Sequence, residues 1–429
     1  MKIFKFGGAS VKDAGAVRNI ATIIKQNLDD RLLFVISAMG KTTNALENLL
    51  DTYYDKGDFL KIFNEIKDFH FSIMKSLFAD EDNEIWEEVD SLFLNLECYF
   101  EKEFSEEYDY IYDQVVSYGE LFATRIIHAY LNDSGLRCRW VDARNFIMTS
   151  NHHREGVVNW DVTPNLIRNK LMPILERMPV ITQGFIGSTP DHHTTTLGRE
   201  GSDFTASIFA FSLDADEVVI WKDVPGILNA DPKKFIGTRQ FSKLSYEEAI
   251  EMTYYGATVL HPKTIKPLQN KKIPLRVRSF LKPETPGTLI ESGIPMQEGV
   301  PIIIVKENQV LVSLSTRDFS FMAEHHMSEI FREMARSGMK MNVMQKSAIS
   351  FSICTDHHER KLTEFLQNLE KHFKIETVEG LELLTIRHHH GKLLNKLLDE
   401  SAIMLEQKTG KTLQYVLPKG NIKEDISFL

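Results

Sequence analysis

The sequence has little cysteine and no excess of positive charge. Its 429 residues include 3 cysteines, Cys98, Cys138 and Cys354, whose wide spacing suggests neither a disulfide framework nor a CxxC metal site. This usage favours a reducing, cytoplasmic compartment. Lysine and arginine number 50 against 60 aspartate and glutamate residues, which gives a formal net charge of −10. Because nucleic acids and anionic membranes bind basic surfaces, we expect neither as a partner.

Long apolar runs are also missing from the sequence. The opening MKIFKFGGAS has a Gly-Gly pair where a signal peptide needs its apolar stretch. No later run approaches the roughly 18–20 residues of a membrane-spanning helix. With 43% hydrophobic and 26% charged residues, the composition is that of a soluble globular protein. At roughly 150 residues per domain, the length predicts two to three domains, or one large domain with a smaller appendage.

The first two thirds of the chain alternate strand and helix patterns. Residues 2–6 and 32–37 are strand-like, and between them a glycine turn precedes apolar residues at helical spacing. This βαβ unit is typical of parallel sheets. An acidic, aromatic-rich stretch at about 44–131 predicts a helical excursion from the sheet. Further strands and helices complete an open α/β sandwich over residues 1–290, with predicted strands at 137–142, 179–182, 217–221 and 273–278 and helices at 203–211 and 246–254.

A cluster of prolines and glycines at 282–301 marks a boundary. Beyond it the predicted elements are smaller, and they fall into two rounds of strands and helices. We therefore predict two small α+β modules within residues 293–429, each with an antiparallel sheet backed by helices. The first has strands at 301–314 and 373–378, a pair of strands within 340–354, and helices at 321–336 and 358–370. The second has strands at 381–386, 403–406 and 412–416 with a helix at 391–399.

A double-glycine turn follows the first predicted strand, in the run Lys5-Phe6-Gly7-Gly8. Glycines let backbone N–H groups approach a phosphate, and the next helix N-terminus adds partial positive charge. An ordinary tight βα turn explains the glycines equally well, but Lys5 at the strand end can meet the same phosphate. The run GKT at 40–42 imitates the end of a P-loop; the glycine required five residues earlier is Val35, so that motif is rejected.

Polar residues also follow the second predicted strand. Ser37 and Thr43 flank a loop at a strand end, where open α/β sheets bind small molecules. Capping of the next helix by Thr43 or Asn44 is an equally good explanation.

The stretch GREGSDFT at 198–205 is the most informative in the chain. Arg199 lies between glycines and can hold a carboxylate with its forked donors. Ser202 and Asp203 open a helix, where they either cap free N–H groups or reach a ligand. The polar residues at 188–196, which follow QGFIG at 183–187, are predicted to form a hairpin tip or a lid.

Eleven of the 15 histidines occur in adjacent pairs or a triplet rather than at metal-binding spacing. Neighbouring residues on a helix or strand point in different directions, and no HExxH-type pair accompanies them. We therefore predict no metal site from protein ligands. The runs are at 152–153, 192–193, 325–326, 357–358 and 388–390.

Taken in order, eight motifs resemble those of the aspartate kinases of the amino-acid-kinase fold. They cover residues 1–290, and the two-module tail resembles the paired ACT-type regulatory domains that follow this kinase core. One such motif alone would be weak evidence for the resemblance, but eight motifs in the family's order are specific evidence. They are KFGGAS at 5–10, SAMGKTTN at 37–44, SYGE at 117–120, QGFIG at 183–187, GREGSDFTA at 198–206, WKDVPGI at 221–227, ADPK at 230–233 and GATVLHP at 256–262.

The resemblance implies transfer of the γ-phosphoryl group of ATP to the side-chain carboxylate of L-aspartate, giving 4-phospho-L-aspartate. This is the first step toward lysine, threonine and methionine. Mg²⁺ would be held mainly by the nucleotide phosphates. The resemblance also implies a homodimer that pairs through the ACT-like region.

The same resemblance assigns roles to individual residues. Lys5 would stabilise the transferring phosphoryl group, Asp203 would orient Lys5, and Glu120 and Arg199 would take the ammonium and a carboxylate of aspartate. The implied catalytic residues are Lys5, Gly8 and Asp203; the substrate-binding residues are Ser37, Thr43, Glu120, Phe185, Arg199 and Ser202; the nucleotide-binding residues are Gly7, Lys222, Asp223, Gly226, Asp231, Lys233 and Thr258.

Several positions depart from the family pattern. Glu200 replaces the second glycine of GRGGSD, Lys222 replaces the threonine of WTDVPG, and Thr258 replaces the lysine of GAKVLHP. A phosphoryl-transfer site that faces an anionic acceptor can hardly work with Lys5 as its only cation. Lys222 is the candidate for the missing second cation, and a solvated lysine at a strand end is the alternative.

Two other functions fit parts of the sequence. A kinase of the same fold could act on another small acid such as glutamate, although Glu120 and Arg199 suit an amino acid's ammonium and carboxylate together. A non-catalytic, amino-acid-binding regulatory relative is suggested by Leu228 and Thr258 in the nucleotide region. The glycine-rich effector loops of the family are replaced in the tail, at 317–319 and 387–390, so no feedback effector is predicted.

Overall fold

The computed structural model describes residues 1–28, 31–80, 82–101, 104, 106–295, 300–318, 320–389, 397–398 and 400–423. It divides into two compact units. The first comprises Met1–Ile227, Ser242–Ile250 and Val259–Pro295, and the second comprises Leu228–Phe241, Glu251–Thr258 and Met296–Leu429. No helix among the described residues is long and apolar enough to cross a lipid bilayer.

The first unit is built on an eight-stranded sheet with the strand order β3-β4-β2-β1-β7-β9-β10-β8. Neighbouring strands are parallel except for β9 and β10. This confirms the predicted open, mostly parallel sheet. The strands are β1 (Lys2–Phe6), β2 (Leu32–Ile36), β3 (Arg139–Trp140), β4 (Val180–Gln183), β7 (Glu217–Lys222), β8 (Lys243–Ser245), β9 (Leu275–Ser279) and β10 (Thr288–Glu291), and a separate antiparallel hairpin consists of β5 (Ile186–Ser188) and β6 (Thr194–Thr196).

Helices cover this sheet, and the predicted helical excursion corresponds to α2–α6. Strands β1 and β2 are almost wholly buried because helices pack on both faces of the sheet. Inside the excursion, Phe93 stacks on Phe122 with ring centroids 4.0 Å apart. The helices are α1 (Ala14–Lys25), α2 (Thr42–Tyr54), α3 (Phe59–Leu77), α4 (Ile85–Phe100), α5 (Tyr108–Val116), α6 (Tyr118–Asp133), α7 (Thr163–Leu166), α8 (Met172–Leu175), α9 (Gly201–Leu213), α10 (Tyr246–Tyr254) and α11 (Pro262–Lys271).

The second unit contains one six-stranded antiparallel sheet with the order β12-β13-β11-β14-β16-β15. Strands β11 and β14 each have 15 residues, and they pair with each other along most of their length. The two predicted modules therefore share a single sheet. The strands are β11 (Ile302–Thr316), β12 (Met341–Lys346), β13 (Ser350–Asp356), β14 (Phe373–Arg387), β15 (Leu405–Lys408) and β16 (Thr412–Pro418), with helices α12 (Glu324–Ser337) and α13 (Glu359–Leu369).

The midpoint of this sheet explains why two strands were predicted where β14 is one. Gly380, with φ +71°, interrupts the apolar pattern of β14, and the opposite strand shifts register between Lys306 and Leu311. The chain bulges there but continues the pairing on both sides. The helix predicted at 391–399 falls mainly on residues outside the described ranges.

The carboxyl ends of four central strands lie at one edge of the first sheet. Phe6, the last residue of β1, is opposite both Ile36 of β2 and Trp221 of β7. Ile36 is in turn opposite Gln183 of β4. The chain segments that leave these strands carry most of the motif residues, so the topology places them at the edge where α/β sheets bind ligands.

Candidate active site

Two close backbone approaches shape this edge of the sheet. The N–H of Gly40 donates to the carbonyl of Gly8 at 3.1 Å, and a Cβ on Gly8 would lie 2.6 Å from the carbonyl oxygen of Gly40. A Cβ on Gly184 would lie 2.4 Å from the Cβ of Ser202 in the first turn of α9. Both distances exclude any side chain without movement of the backbone, so glycine is required at positions 8 and 184.

A cavity of about 750 Å³ opens beside these glycines, within the first unit. It brings together eight residues that the sequence singled out from five separate motifs. Their side chains include a lysine, an arginine and a glutamate, which is the charge pattern expected for a phosphate donor and an amino-acid acceptor. The eight are Lys5, Gly8, Ser37, Thr43, Glu120, Phe185, Arg199 and Ser202.

A buried chain of charges lies at the base of the site. The Nζ of Lys5 is 2.6 Å from Oδ1 of Asp203, and the Nζ of Lys222 is 3.2 Å from Oδ2 of the same carboxylate. The Asp203 side chain is fully buried. Burial would raise the pKa of this carboxyl, but the two lysine charges outweigh burial and hold the pKa below its ordinary value. Asp203 is therefore an anion that fixes both lysines, and it is not merely a helix cap.

Lys222 is held from a second side as well. Its Nζ lies 3.8 Å from Oε2 of Glu200, the residue that precedes α9. Burial would lower the pKa of the Lys222 ammonium, but Asp203 and Glu200 outweigh burial and raise it. Lys222 is therefore charged, and with its side chain only 17% exposed it is not a solvated surface lysine.

Glu120 is the buried carboxyl group of the cavity. It lies in the first turn of α6, and its Oε1 accepts a hydrogen bond from the N–H of Ala38 at 3.2 Å. Its Oε2 has no hydrogen-bond partner in the part of the chain that the structure describes. Burial raises the pKa of Glu120 to about 8. The carboxyl group can therefore lose its proton when a cation, such as an ammonium group, binds beside it.

Arg199 and Thr43 are available to a ligand. The Arg199 side chain is exposed at the cavity, and within the described residues it makes no ion pair or hydrogen bond. Helix α2 begins at Thr42 without a side-chain cap, so the alternative that Thr43 or Asn44 caps this helix is wrong. Thr43 instead lines the cavity.

Three residues with a strained backbone conformation line the same cavity. Arg154, Phe185 and Glu200 have φ values of +64°, +68° and +55°, a region that favours glycine, and all three line the cavity. The hydroxyl of Thr205 accepts a hydrogen bond from the N–H of Phe185 at 2.9 Å, which helps to hold that conformation. Such conformations persist where the surrounding structure and the function over-determine them.

Arg154 and the network behind it were not found from the sequence. The Arg154 guanidinium lies 4.2 Å from the ring centroid of Tyr112 and 3.3 Å from Oε1 of Glu47. Behind it, the buried carboxylate of Asp113 accepts the N–H of Arg154 at 3.1 Å and the hydroxyl of Thr196 at 2.6 Å. This network fixes the loop around Arg154 to the predicted hairpin, which is confirmed as β5 and β6.

The nucleotide-binding candidates, Gly7 and Lys222 included, are not among the residues that line the cavity. Asp223 and Gly226 follow β7 in the first unit, where Asp223 is exposed. Asp231, Lys233 and Thr258 belong to the second unit, where a carboxylate oxygen of Asp231 accepts the N–H of Lys233 at 2.9 Å. Their assignment to the nucleotide stays a prediction. Among the described residues, no group of three or more His, Cys, Asp or Glu side chains is placed to hold a metal ion.

Comparisons with known proteins agree with this geometry. The model of the amino acid kinase family matches residues 1–279. Lysine-sensitive aspartokinase 3 of Escherichia coli (strain K12) is 31% identical over 391 residues, which cover 90% of this chain and 86% of that protein. Chloroplastic aspartokinase 1 of Arabidopsis thaliana is 29% identical over 452 residues, which cover 100% of this chain and 77% of that protein.

A solved aspartokinase structure also resembles this chain in its fold. The crystal structure of E. coli aspartokinase III in complex with aspartate and ADP matches with a TM-score of 0.83 at 28% identity, over 97% of this chain and 96% of that one. The match includes both the parallel-sheet core and the C-terminal antiparallel region. The chain belongs to the amino acid kinase family and, within it, to the aspartokinases.

Proposed function

We propose that this protein transfers the γ-phosphoryl group of ATP to the side-chain carboxylate of L-aspartate, giving 4-phospho-L-aspartate and ADP. The observation that carries the proposal is one cavity that combines a lysine beside a double-glycine turn, a buried glutamate and an exposed arginine. These groups suit a phosphate, an ammonium and a carboxylate, respectively. The product would be the first intermediate toward lysine, threonine and methionine.

The reaction needs positioning and charge more than acid–base chemistry. An oxygen of the aspartate side-chain carboxylate attacks the γ-phosphorus, the bond from phosphorus to the β,γ-bridging oxygen breaks, and ADP leaves with that electron pair. The nucleophile carries no proton, so no general base is required. Lys5 meets the charge on the transferring group, the backbone N–H groups of Gly7 and Gly8 cradle it, and Asp203 holds Lys5 in place.

Substrate selection would rest on the other end of the cavity. Glu120 takes the ammonium group of aspartate, and Arg199 takes its α-carboxylate with forked donors. Ser37, Thr43, Phe185 and Ser202 shape the space between these two groups and Lys5. Glutamate is one methylene longer, so with its ammonium and α-carboxylate held it would place its side-chain carboxylate out of line with the phosphoryl group. One methylene typically discriminates by about 10–200-fold.

The nucleotide would lie beside the double-glycine turn. We assign Lys222, Asp223 and Gly226 of the first unit to it. The lysines and glycines at the turn fit a polyphosphate, and Asp203 is already held by two lysines. Mg²⁺ would therefore be held mainly by the phosphates themselves, and it would supply further positive charge against them.

The proposal also includes the oligomeric state and the cellular location of the protein. We propose a cytoplasmic homodimer that pairs through residues 293–429, the ACT-like regulatory region, with residues 1–290 as the catalytic domain. In that region β12 and β15 form the two edges of the six-stranded sheet. Sedimentation of the full-length chain tests the dimer directly.

An ATP-dependent hydroxamate assay tests the proposed reaction, because hydroxylamine traps the acyl phosphate. Aspartate should support turnover, and glutamate should support at least tenfold less. Arg199→Gln should raise the KM for aspartate while leaving the KM for ATP unchanged. Binding of ATP without aspartate-dependent turnover would refute the enzyme and favour the alternative, a non-catalytic amino-acid-binding relative.

A further inference from the structure

We propose that Lys222 is a second catalytic cation of the phosphoryl-transfer site and that Glu200 is a positioning residue that holds it beside Lys5. This inference rests on the proposed function. It concerns two positions at which the sequence departs from the family pattern, and the structure shows that these two departures contact each other.

The sheet register places Lys222 at the double-glycine turn. Phe6 of β1 lies opposite Trp221 of β7, so Gly7, which follows β1, and Lys222, the last residue of β7, lie side by side at the ends of two parallel strands. The side chain of Lys222 then turns inward, where it is only 17% exposed. It reaches Oδ2 of Asp203 at 3.2 Å, whereas Lys5 reaches Oδ1 at 2.6 Å. Two ammonium groups from adjacent strands therefore share one buried carboxylate beside the glycines that would cradle a phosphate.

The charges explain why Glu200 accompanies this lysine. Asp203 can neutralise one of the two lysines, and the second would remain an uncompensated buried charge, which is strongly unfavourable. Glu200, with its Oε2 at 3.8 Å from Lys222, supplies the missing negative charge. Its side chain is 32% exposed, so it can turn toward solvent when the phosphates of ATP take its place.

The backbone at Glu200 supports a role for its side chain. Glu200 adopts φ +55° and ψ +27° and precedes α9 without capping it by a side-chain hydrogen bond. This left-handed conformation favours glycine over a residue with a Cβ. A side chain at this position therefore strains the backbone, and the carboxylate does not cap the helix. The contact that it makes is with Lys222.

A competing explanation is that Lys222 does nothing more than neutralise Glu200. A double substitution separates the two explanations. If Lys222 is only a counter-charge, removing both residues together should restore wild-type turnover. If Lys222 meets the transferring phosphoryl group, the double variant should bind ATP again but should remain slow, because the cation in the transition state is still missing.

The experiment compares Lys222→Thr, Glu200→Gly and the double variant. Steady-state rates with ATP varied give kcat and KM, and calorimetric titration with Mg·ATP in the absence of aspartate gives binding. Lys222→Thr should lower kcat by about 10²–10³-fold and weaken ATP binding at least tenfold, because Glu200 is then an unopposed anion. Glu200→Gly should lower kcat severalfold with ATP binding unchanged or tighter, since Lys222 loses its anchor but the site gains net positive charge.

The double variant should recover ATP binding to within a fewfold of wild type while its kcat stays at least tenfold low. Wild-type kcat in the double variant, or wild-type kcat and ATP binding in Lys222→Thr, would overturn the proposal. Lys243→Thr is a matched control, since Lys243 begins β8 at the far edge of the sheet and pairs with Glu291 at 3.4 Å. It should change neither quantity.

The design also separates this inference from the proposed function. Absence of aspartate-dependent turnover in the wild-type protein would refute the proposed reaction. The calorimetric comparison would still decide the placement of Lys222 at the phosphates, because weak ATP binding by Lys222→Thr and its recovery in the double variant require no turnover. Equal ATP binding by wild type and Lys222→Thr would refute that placement.

Discussion

Glu120 should make aspartate binding strongly dependent on pH. Burial raises the pKa of its carboxyl group to about 8, so only about a tenth of the empty sites carry a Glu120 anion at pH 7. The substrate ammonium binds the anionic form, and aspartate therefore has to displace a proton. We expect the KM for aspartate to rise about tenfold for each pH unit below 8 and to level off above it, until the substrate's own ammonium loses its proton.

Initial rates in the hydroxamate assay between pH 6 and 9 measure this effect. Glu120→Gln is the matched variant, because it keeps the size of the side chain and an oxygen for the Ala38 N–H but cannot ionise. Its KM for aspartate should be about 10–100-fold above that of the wild type at pH 8.5 and should not change with pH. A flat wild-type KM between pH 6 and 8, or an equally steep slope in the variant, would refute the reasoning.

The same shift predicts a second, independent signature in stability. The folded protein holds a proton on Glu120 up to about pH 8, whereas the unfolded chain releases it near the ordinary value of 4.5. The stabilising contribution is therefore complete below the unfolded pKa and is lost as the pH rises through the folded pKa. Urea unfolding at pH 5 and pH 8.5 should show a loss of unfolding free energy in the wild type that is smaller in Glu120→Gln.

Three further predictions follow from contacts described above. Lys5→Ala should lower kcat by about 10²–10³-fold while circular dichroism shows a folded protein, because Lys222 still neutralises Asp203; wild-type turnover would exclude Lys5 from catalysis. Gly184→Ala should reduce the free energy of unfolding by about 1–3 kcal/mol, measured in urea, because the new Cβ would lie 2.4 Å from the Cβ of Ser202. Removal of residues 293–429 should convert the proposed dimer to monomers in sedimentation, and an unchanged oligomer would contradict pairing through that region.

The sequence predicted the part of the site that depends on strand ends. Lys5, Ser37 and Phe185 each lie within two residues of the end of a recognisable buried strand, and parallel strands bring their carboxyl ends to one edge. The spacing of glycines and polar residues around those ends was therefore enough to place them in one cavity.

Residues joined by tertiary contacts alone could not be predicted in this way. Asp113, Arg154 and Thr196 come from a helix, a loop and a hairpin, and no sequence spacing connects them. The role of Asp203 was also open, because a carboxylate in the first turn of a helix suits capping as well as ion pairing. Its burial between two lysines shows that Asp203 forms ion pairs. That burial depends on the packing of β1, β7 and α9 together, which the sequence does not reveal.

In the C-terminal sheet the local sequence pattern was misleading, because it predicted a strand end that the structure does not have. Gly380 ends an apolar pattern and favours a turn, so two strands were expected where the structure has one. A left-handed glycine opposite a bulge can also continue a ladder, and only the partner strand decides between the two outcomes.

The continuity of β11 and β14 has a consequence for how the second unit opens. Each of these strands belongs physically to both halves of the sheet, so neither half can lose its ladder without removing hydrogen bonds from the other. The polar network of Lys306, Gln309, Asn342 and Asp356 adds side-chain bonds close to the bulge where the halves meet. Amide hydrogens in β13 and β16, on opposite sides of the central pair, should therefore exchange through one common opening rather than through two separate ones.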